Sequence, residues 1–173
     1  MNLKSIFDKF KGKKTPLALV VEPDERLHQV CEPVTKFDDK LEEFVQEMAH
    51  FMFTKLPWGQ AAGLAAPQVG KNIRLFLLNE GIGSDRRSGD FRLFINPVVV
   101  WKTKAPAMQC KEGCFSLEAE KMDYEVDRAP SITIRYQHLK GEWLEERYNG
   151  VRAQTIQHEM DHLDGILVSD HKK

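Results

Sequence analysis

The sequence predicts an α+β domain, and three observations carry that reading. Apolar residues recur at helical spacing in one segment of each half of the chain. Short alternating apolar and polar runs between those segments read as strands. No strand–helix–strand rhythm of the kind that builds a parallel sheet connects them. At 173 residues the chain fits one domain with a sizeable core.

Residues 1–15 are expected to form a basic N-terminal arm, separate from one folded domain over 16–170. In MNLKSIFDKFKGKK the residues Leu3, Ile6, Phe7 and Phe10 share one helical side. LALVV (17–21) reads as a short strand, and PDERL (23–27) as a turn and helix start. From Phe37 to Leu56 the residues Leu41, Phe44, Val45, Met48, Phe51 and Met52 repeat at helical spacing; Asp38 or Asp39 caps the helix and Pro57 ends it. GLAAPQVG (63–70) is a loop of small residues, IRLFLLN (73–79) a strand, and GIGSDRRSGD (81–90) a polar loop. FRLFINPVVVW continues as a strand whose Pro97 marks an edge or bulge. SITIRYQHL (131–139) turns at Lys140-Gly141 into a partner strand around Trp143 to Tyr148. Asn149 then caps a helix over about 151–163, with Gly165 just past its end.

Lys plus Arg total 25 and Asp plus Glu 26, so net charge gives no argument for a nucleic-acid or membrane partner. Three cysteines make no disulfide framework and suit a reducing compartment, with the cytoplasm as the expected location. The basic arm leaves organellar targeting open, although Asp8 counts against it.

The chemistry concentrates in QHEMDHLDG (157–165). His158 and His162 lie four apart, on one side of the second helix, and can share one metal ion. A catalytic site of this type wants a third protein ligand and an open position. One large group of metalloproteases supplies a histidine six residues on; Gly165 fits that pattern, but Val168 stands where the histidine would be. Asp164, Asp170 and His171 are awkwardly placed downstream. His28, His50, His138 and the three cysteines remain upstream, with Cys114 in CKEGCFSLE the outstanding candidate.

With GLAAPQ (63–68), EGCFS (112–116) and QHEMDH (157–162) in that order, the sequence resembles the peptide deformylases from about Leu19 to Leu167. The resemblance implies antiparallel sheets packed around a central metal-binding helix. It implies Cys114, His158 and His162 as ligands to one divalent ion, Fe2+ in vivo, with Zn2+, Ni2+ or Co2+ as alternatives. A water on that ion attacks the formyl carbon, and Glu159 is the general base and acid. Gln68 and the backbone N–H of Phe115 steady the oxyanion. Substrate contacts are expected from Ala62, Gly63, Cys110, Glu112, Arg128, Val151, Gln154 and Thr155, with Arg128 holding the peptide chain.

Glu112 is also expected to fix the cysteine loop through an arginine. The implied substrate is the N-formylmethionyl end of a nascent peptide. A transient ribosome contact is a further expectation, with the basic arm as one candidate for it because many relatives carry a C-terminal helix that is not seen here. Ala61 stands where the family usually has glycine, and a positive φ there would strain it. Cys110 and Gln154 replace commonly aliphatic residues, which implies an altered side-chain preference. A general metallopeptidase and a non-enzymatic domain with a structural metal are the competing readings. Intact Glu159 and the open fourth position speak against the second of them.

Overall fold

The structure is a computed structural model describing residues 16–56, 61–81, 91–117 and 124–171. The basic arm, Pro57 and residues 82–90 of the polar loop lie outside the described residues. Strands β1 (Gly63–Ala65), β2 (Leu75–Asn79), β3 (Phe91–Lys102), β6 (Ser131–Gln137) and β7 (Trp143–Asn149) form one sheet in that order. All its pairings are antiparallel. Strands β4 (Met108–Glu112) and β5 (Tyr124–Arg128) form a second, two-stranded antiparallel sheet. Helices α1 (Asp39–Thr54) and α2 (Gly150–Leu163) complete an α+β fold.

Strand β2 shows how the larger sheet is covered. All five residues of LFLLN are buried, as a strand covered on both faces requires. Leu75 and Leu77 pack with Leu41, Val45, Met48 and Met52 of α1. Those four recur at intervals of four, three and four, which makes one stripe along the helix. Phe76 and Leu78 point the other way, into a cluster with Phe94, Ile132, Ile134, Tyr136 and the α2 residues Ala153, Ile156 and Leu163. The Phe76 and Phe94 rings stack with centroids 4.6 Å apart. The helix carrying both histidines is therefore clamped to the sheet by its apolar side.

Local chemistry sets the ends of these elements. Asp38, not Asp39, caps α1, its carboxylate accepting the Leu41 N–H at 3.1 Å. Pro97 coincides with a register shift between Ile95 and Val98. Asn149 sits at the N-cap of α2 without a side-chain hydrogen bond. Gly165 has φ 72°, and a Cβ there would lie 2.7 Å from the His28 carbonyl, so only glycine lets α2 end against that segment.

Two expectations need correction, for LALVV and GLAAPQVG, and two others are made specific. LALVV is not a strand: the Val20 N–H donates to the Gln68 carbonyl and the Glu22 N–H to the Ser116 carbonyl, two different segments with no ladder. PDERL opens one 3-10 turn, Glu25–His28, capped by Asp24. The GLAAPQVG loop contains β1 and a 3-10 turn, Ala66–Val69. Ala61 is buried and unstrained, because Asn96 is the one non-glycine residue with positive φ among the described residues.

Candidate metal centre and active site

Cys114 follows the end of β4 and opens a turn closed by the Leu117 N–H donating to its carbonyl at 3.1 Å. His158 and His162 reach the same place from successive turns of α2, their rings 5.0 Å apart and nearly perpendicular. One ligand atom from each of the three lies within 4.8 Å of the others, and Cys114 Sγ is 3.2 Å from His162 Nε2. One sulfur and two imidazoles at this separation fit a single borderline divalent ion. His28 instead lies near Glu22 and Asp170, and His138 lines a different cavity with Arg92.

The carboxylate of Glu112 holds His158 at Nδ1, 3.0 Å away, leaving Nε2 free for an ion. Glu112 is itself held by both arms of Arg128, at 2.9 and 2.7 Å. Arg128 continues to Asp161 at 2.6 Å, and Asp161 meets His171 Nε2 at 2.8 Å. Burial alone would raise the Glu112 carboxyl, but Arg128 and His158 bring it down to about 2, so it stays charged. Burial drives His162 well below its usual range, which keeps that imidazole neutral and ready to ligate. Burial works the same way on His158, but the Cys114 sulfur and Glu112 overcome it and raise the group to about 10 in the ion-free protein.

Glu159 follows His158 and points into the same cavity, where its Oε2 has no hydrogen-bond partner. Burial lifts its carboxyl to about 7, with His158 opposing in part. Its carboxylate lies against the backbone of Gly63 in β1. A Cβ at residue 63 would come 2.4 Å from Glu159 Oε1 and 2.6 Å from its Cδ. Gly63→Ala is therefore expected to displace the carboxylate and lower kcat about 10²-fold, the usual effect of a 1 Å misplacement. Metal content should stay at the wild-type value, since no ligand moves; a wild-type kcat would show that the approach is unimportant.

The cavity measures about 350 Å3, within the range of small-molecule sites. Ala62, Gly63, Gln68, Glu112, Phe115, Val151, Gln154 and Thr155 all line it beside Cys114, His158 and Glu159. Gln68 is buried, accepts the Ala65 N–H at 2.9 Å, and aims its Nε2 at Ser116 Oγ (3.2 Å) and Cys114 Sγ (3.5 Å). Two expected substrate contacts lie elsewhere. Cys110 is buried behind the wall, its thiol on the Met108 carbonyl. Arg128 is 4% exposed, with its guanidinium taken up by Glu112 and Asp161, so it supports His158 instead of facing the cavity. Lys111, which sequence reasoning missed, is in the lining beside Glu112. Asp164 pairs with Arg74, at 2.6 Å, and Asp161 with Arg128 and His171, so neither orients a ligand histidine directly.

Comparison with known proteins gives one consistent answer. A sequence model described as polypeptide deformylase matches residues 16–173. Peptide deformylase 1 of Rickettsia conorii is 39% identical over 158 residues, covering 90% of this chain and 86% of that protein. A peptide deformylase of Thermotoga petrophila is 37% identical over 147 residues, covering 85% and 81%. Among solved structures, a peptide deformylase from Synechococcus elongatus in complex with actinonin superposes with TM-score 0.80 at 31% identity, over 92% of this chain and 80% of that one. The Thermotoga maritima peptide deformylase gives 0.79 at 32%, over 91% and 97%.

Proposed function

The chain belongs to the peptide deformylase family, and from that premise we propose that it takes the formyl group off the N-terminal formylmethionine of newly made polypeptides, with Glu159 moving the proton. The observation that carries this reading is Glu159 itself: a buried carboxyl raised to about 7, without a partner at Oε2, in a cavity lined by Cys114 and His158, whose ligand atoms meet that of His162.

Cys114, His158 and His162 would hold the ion, which when bound supplies Lewis acidity and makes water a nucleophile near neutral pH. Glu159 takes a proton from the attacking water and returns it to the departing amine. A carbon–oxygen bond forms, the formyl carbon–nitrogen bond breaks, and formate and a free α-amine leave. The growing negative charge on the formyl oxygen meets the Gln68 carboxamide and the Phe115 N–H, which makes no hydrogen bond among the described residues. Gly63 leaves room for the Glu159 carboxylate, and Glu112 fixes the imidazole of His158.

The thiolate and two imidazoles suit Fe2+ as the ion used in the cell, with Zn2+, Ni2+ and Co2+ as substitutes. Three cysteines without a disulfide support a cytoplasmic location. The test is an anaerobic assay on formyl-Met-Ala-Ser with metal analysis of the same sample. The expected result is formate release in proportion to bound metal, at about one ion per chain, with no internal peptide cleavage. Internal cleavage, or fully loaded protein without formate release, would overturn the reading.

A further inference from the structure

The cavity wall does not match the thioether side chain that formylmethionine would place against it. From α2 the wall presents Val151, Gln154 and Thr155, the last two preceding His158 by four and three residues. The Thr155 hydroxyl is already spent on the Val151 carbonyl at 3.0 Å. Gln154 is half-buried, and its carboxamide makes no hydrogen bond among the described residues. From β4, Lys111 lines the same cavity, exposed and without an ion-pair partner among the described residues. The wall thus offers an amide N–H2 and an ammonium, both hydrogen-bond donors. A methionine sulfur is a weak acceptor and would cover these donors without satisfying them.

Oxidised methionine answers that chemistry. Its sulfoxide keeps the length and flexibility of the side chain and adds a strong acceptor oxygen. A hydrogen bond from Lys111 to that oxygen would be charge-assisted. We propose that this chain accepts N-formylmethionine sulfoxide peptides as substrates, with Gln154 and Lys111 as the residues that read the sulfoxide oxygen. The proposal rests on the deformylase reading. The reaction is the same hydrolysis: water enters, formate and the free α-amine leave, and the sulfoxide passes through unchanged.

The test uses metal-loaded protein and two peptides, formyl-Met-Ala-Ser and its sulfoxide, each sulfoxide epimer measured separately. In the wild type, kcat/KM for the better epimer is expected to be above about one-tenth of the thioether value. Gln154→Leu should lower the sulfoxide-to-thioether ratio about tenfold, mostly through KM; this equals ~1.4 kcal/mol, the size of one hydrogen bond. Lys111→Met, on an exposed strand position, should lower the ratio in the same direction and serves if Gln154→Leu does not fold. A wild-type ratio below about one-tenth overturns the proposal, as does a ratio that neither substitution lowers. Formate release from the thioether peptide alone would leave the deformylase reading standing while this one falls; release from neither peptide would remove both.

Discussion

Glu159→Gln is expected to lower kcat about 10³-fold while the protein keeps its full complement of metal. Glutamine fills the same space against Gly63 but cannot take up a proton. The three ligand atoms belong to other side chains, so metal content should not follow activity down. The same substitution should make the metal-free protein more stable in mild alkali. Burial raises the Glu159 carboxyl from 4.5 to about 7. A carboxyl raised on folding contributes its full stability below the unfolded pKa, where both states are protonated. That contribution is lost progressively as pH rises from 4.5 through about 7, because the folded state resists giving up the proton. Glutamine has nothing to lose. The chelator-treated variant should therefore exceed wild type at pH 8 by on the order of 3 kcal/mol, at ~1.4 kcal/mol for each tenfold change in proton affinity. The advantage should fade toward pH 4.5. Urea melts at the two pH values check it, and identical melts at pH 8 would mean that the carboxylate is well solvated.

Arg128→Leu is the substitution expected to cost the most in folding. Its guanidinium and the Glu112 carboxylate are each only 4% exposed. Removing the cation strands a buried carboxylate whose remaining partner is His158, and such breaks cost about 3–5 kcal/mol. Glu112 would then no longer be held against His158 Nδ1, so metal affinity should fall 10- to 100-fold, the usual effect of losing a ligand's orienting partner. Pairing the change with Glu112→Gln removes the stranded charge and should restore part of the stability but not the affinity. Thermal melts and competitive metal titration of the single and double variants separate the two effects. A double variant no more stable than Arg128→Leu alone would argue that packing, not charge, is what Arg128 provides.

Much of the fold was legible because its elements obey one period each. The stripe of α1 and the alternation of SITIRYQ follow directly from burial on one side. The second sheet was not legible. MQCKE and YEVDR hold few apolar residues, and β4 and β5 pair with each other over a small cluster in which Val126 is the main apolar contribution from either strand. LALVV misled in the opposite sense: its apolar run reads as a strand, but its backbone bonds go to two unrelated segments. At the site, the histidine spacing located two of the three ligands, the search upstream made Cys114 the outstanding third, and the order of the three blocks then implied it as a ligand. The partner of Glu112 was foreseen in kind but not in identity. Arg128 was assigned to substrate because nothing local in DRAPS shows that β5 lies back to back with the end of α2. Lys111 was passed over because a lone lysine carries no motif.

Among the described residues the two sheets share no hydrogen-bonded strand, and the ligands divide between them: Cys114 stands just past the first strand of the small hairpin, and both histidines ride on the helix clamped to the large sheet. An ion at that junction would act as a staple across a seam. It ties residues 48 apart in sequence, and so also narrows the choices open to the unfolded chain wherever it holds on. The cavity draws its lining from both sides of that seam, Lys111 from the small hairpin and Gln154 from the helix. An ion held there would therefore also fix the spacing of the two walls between which a peptide end would lie.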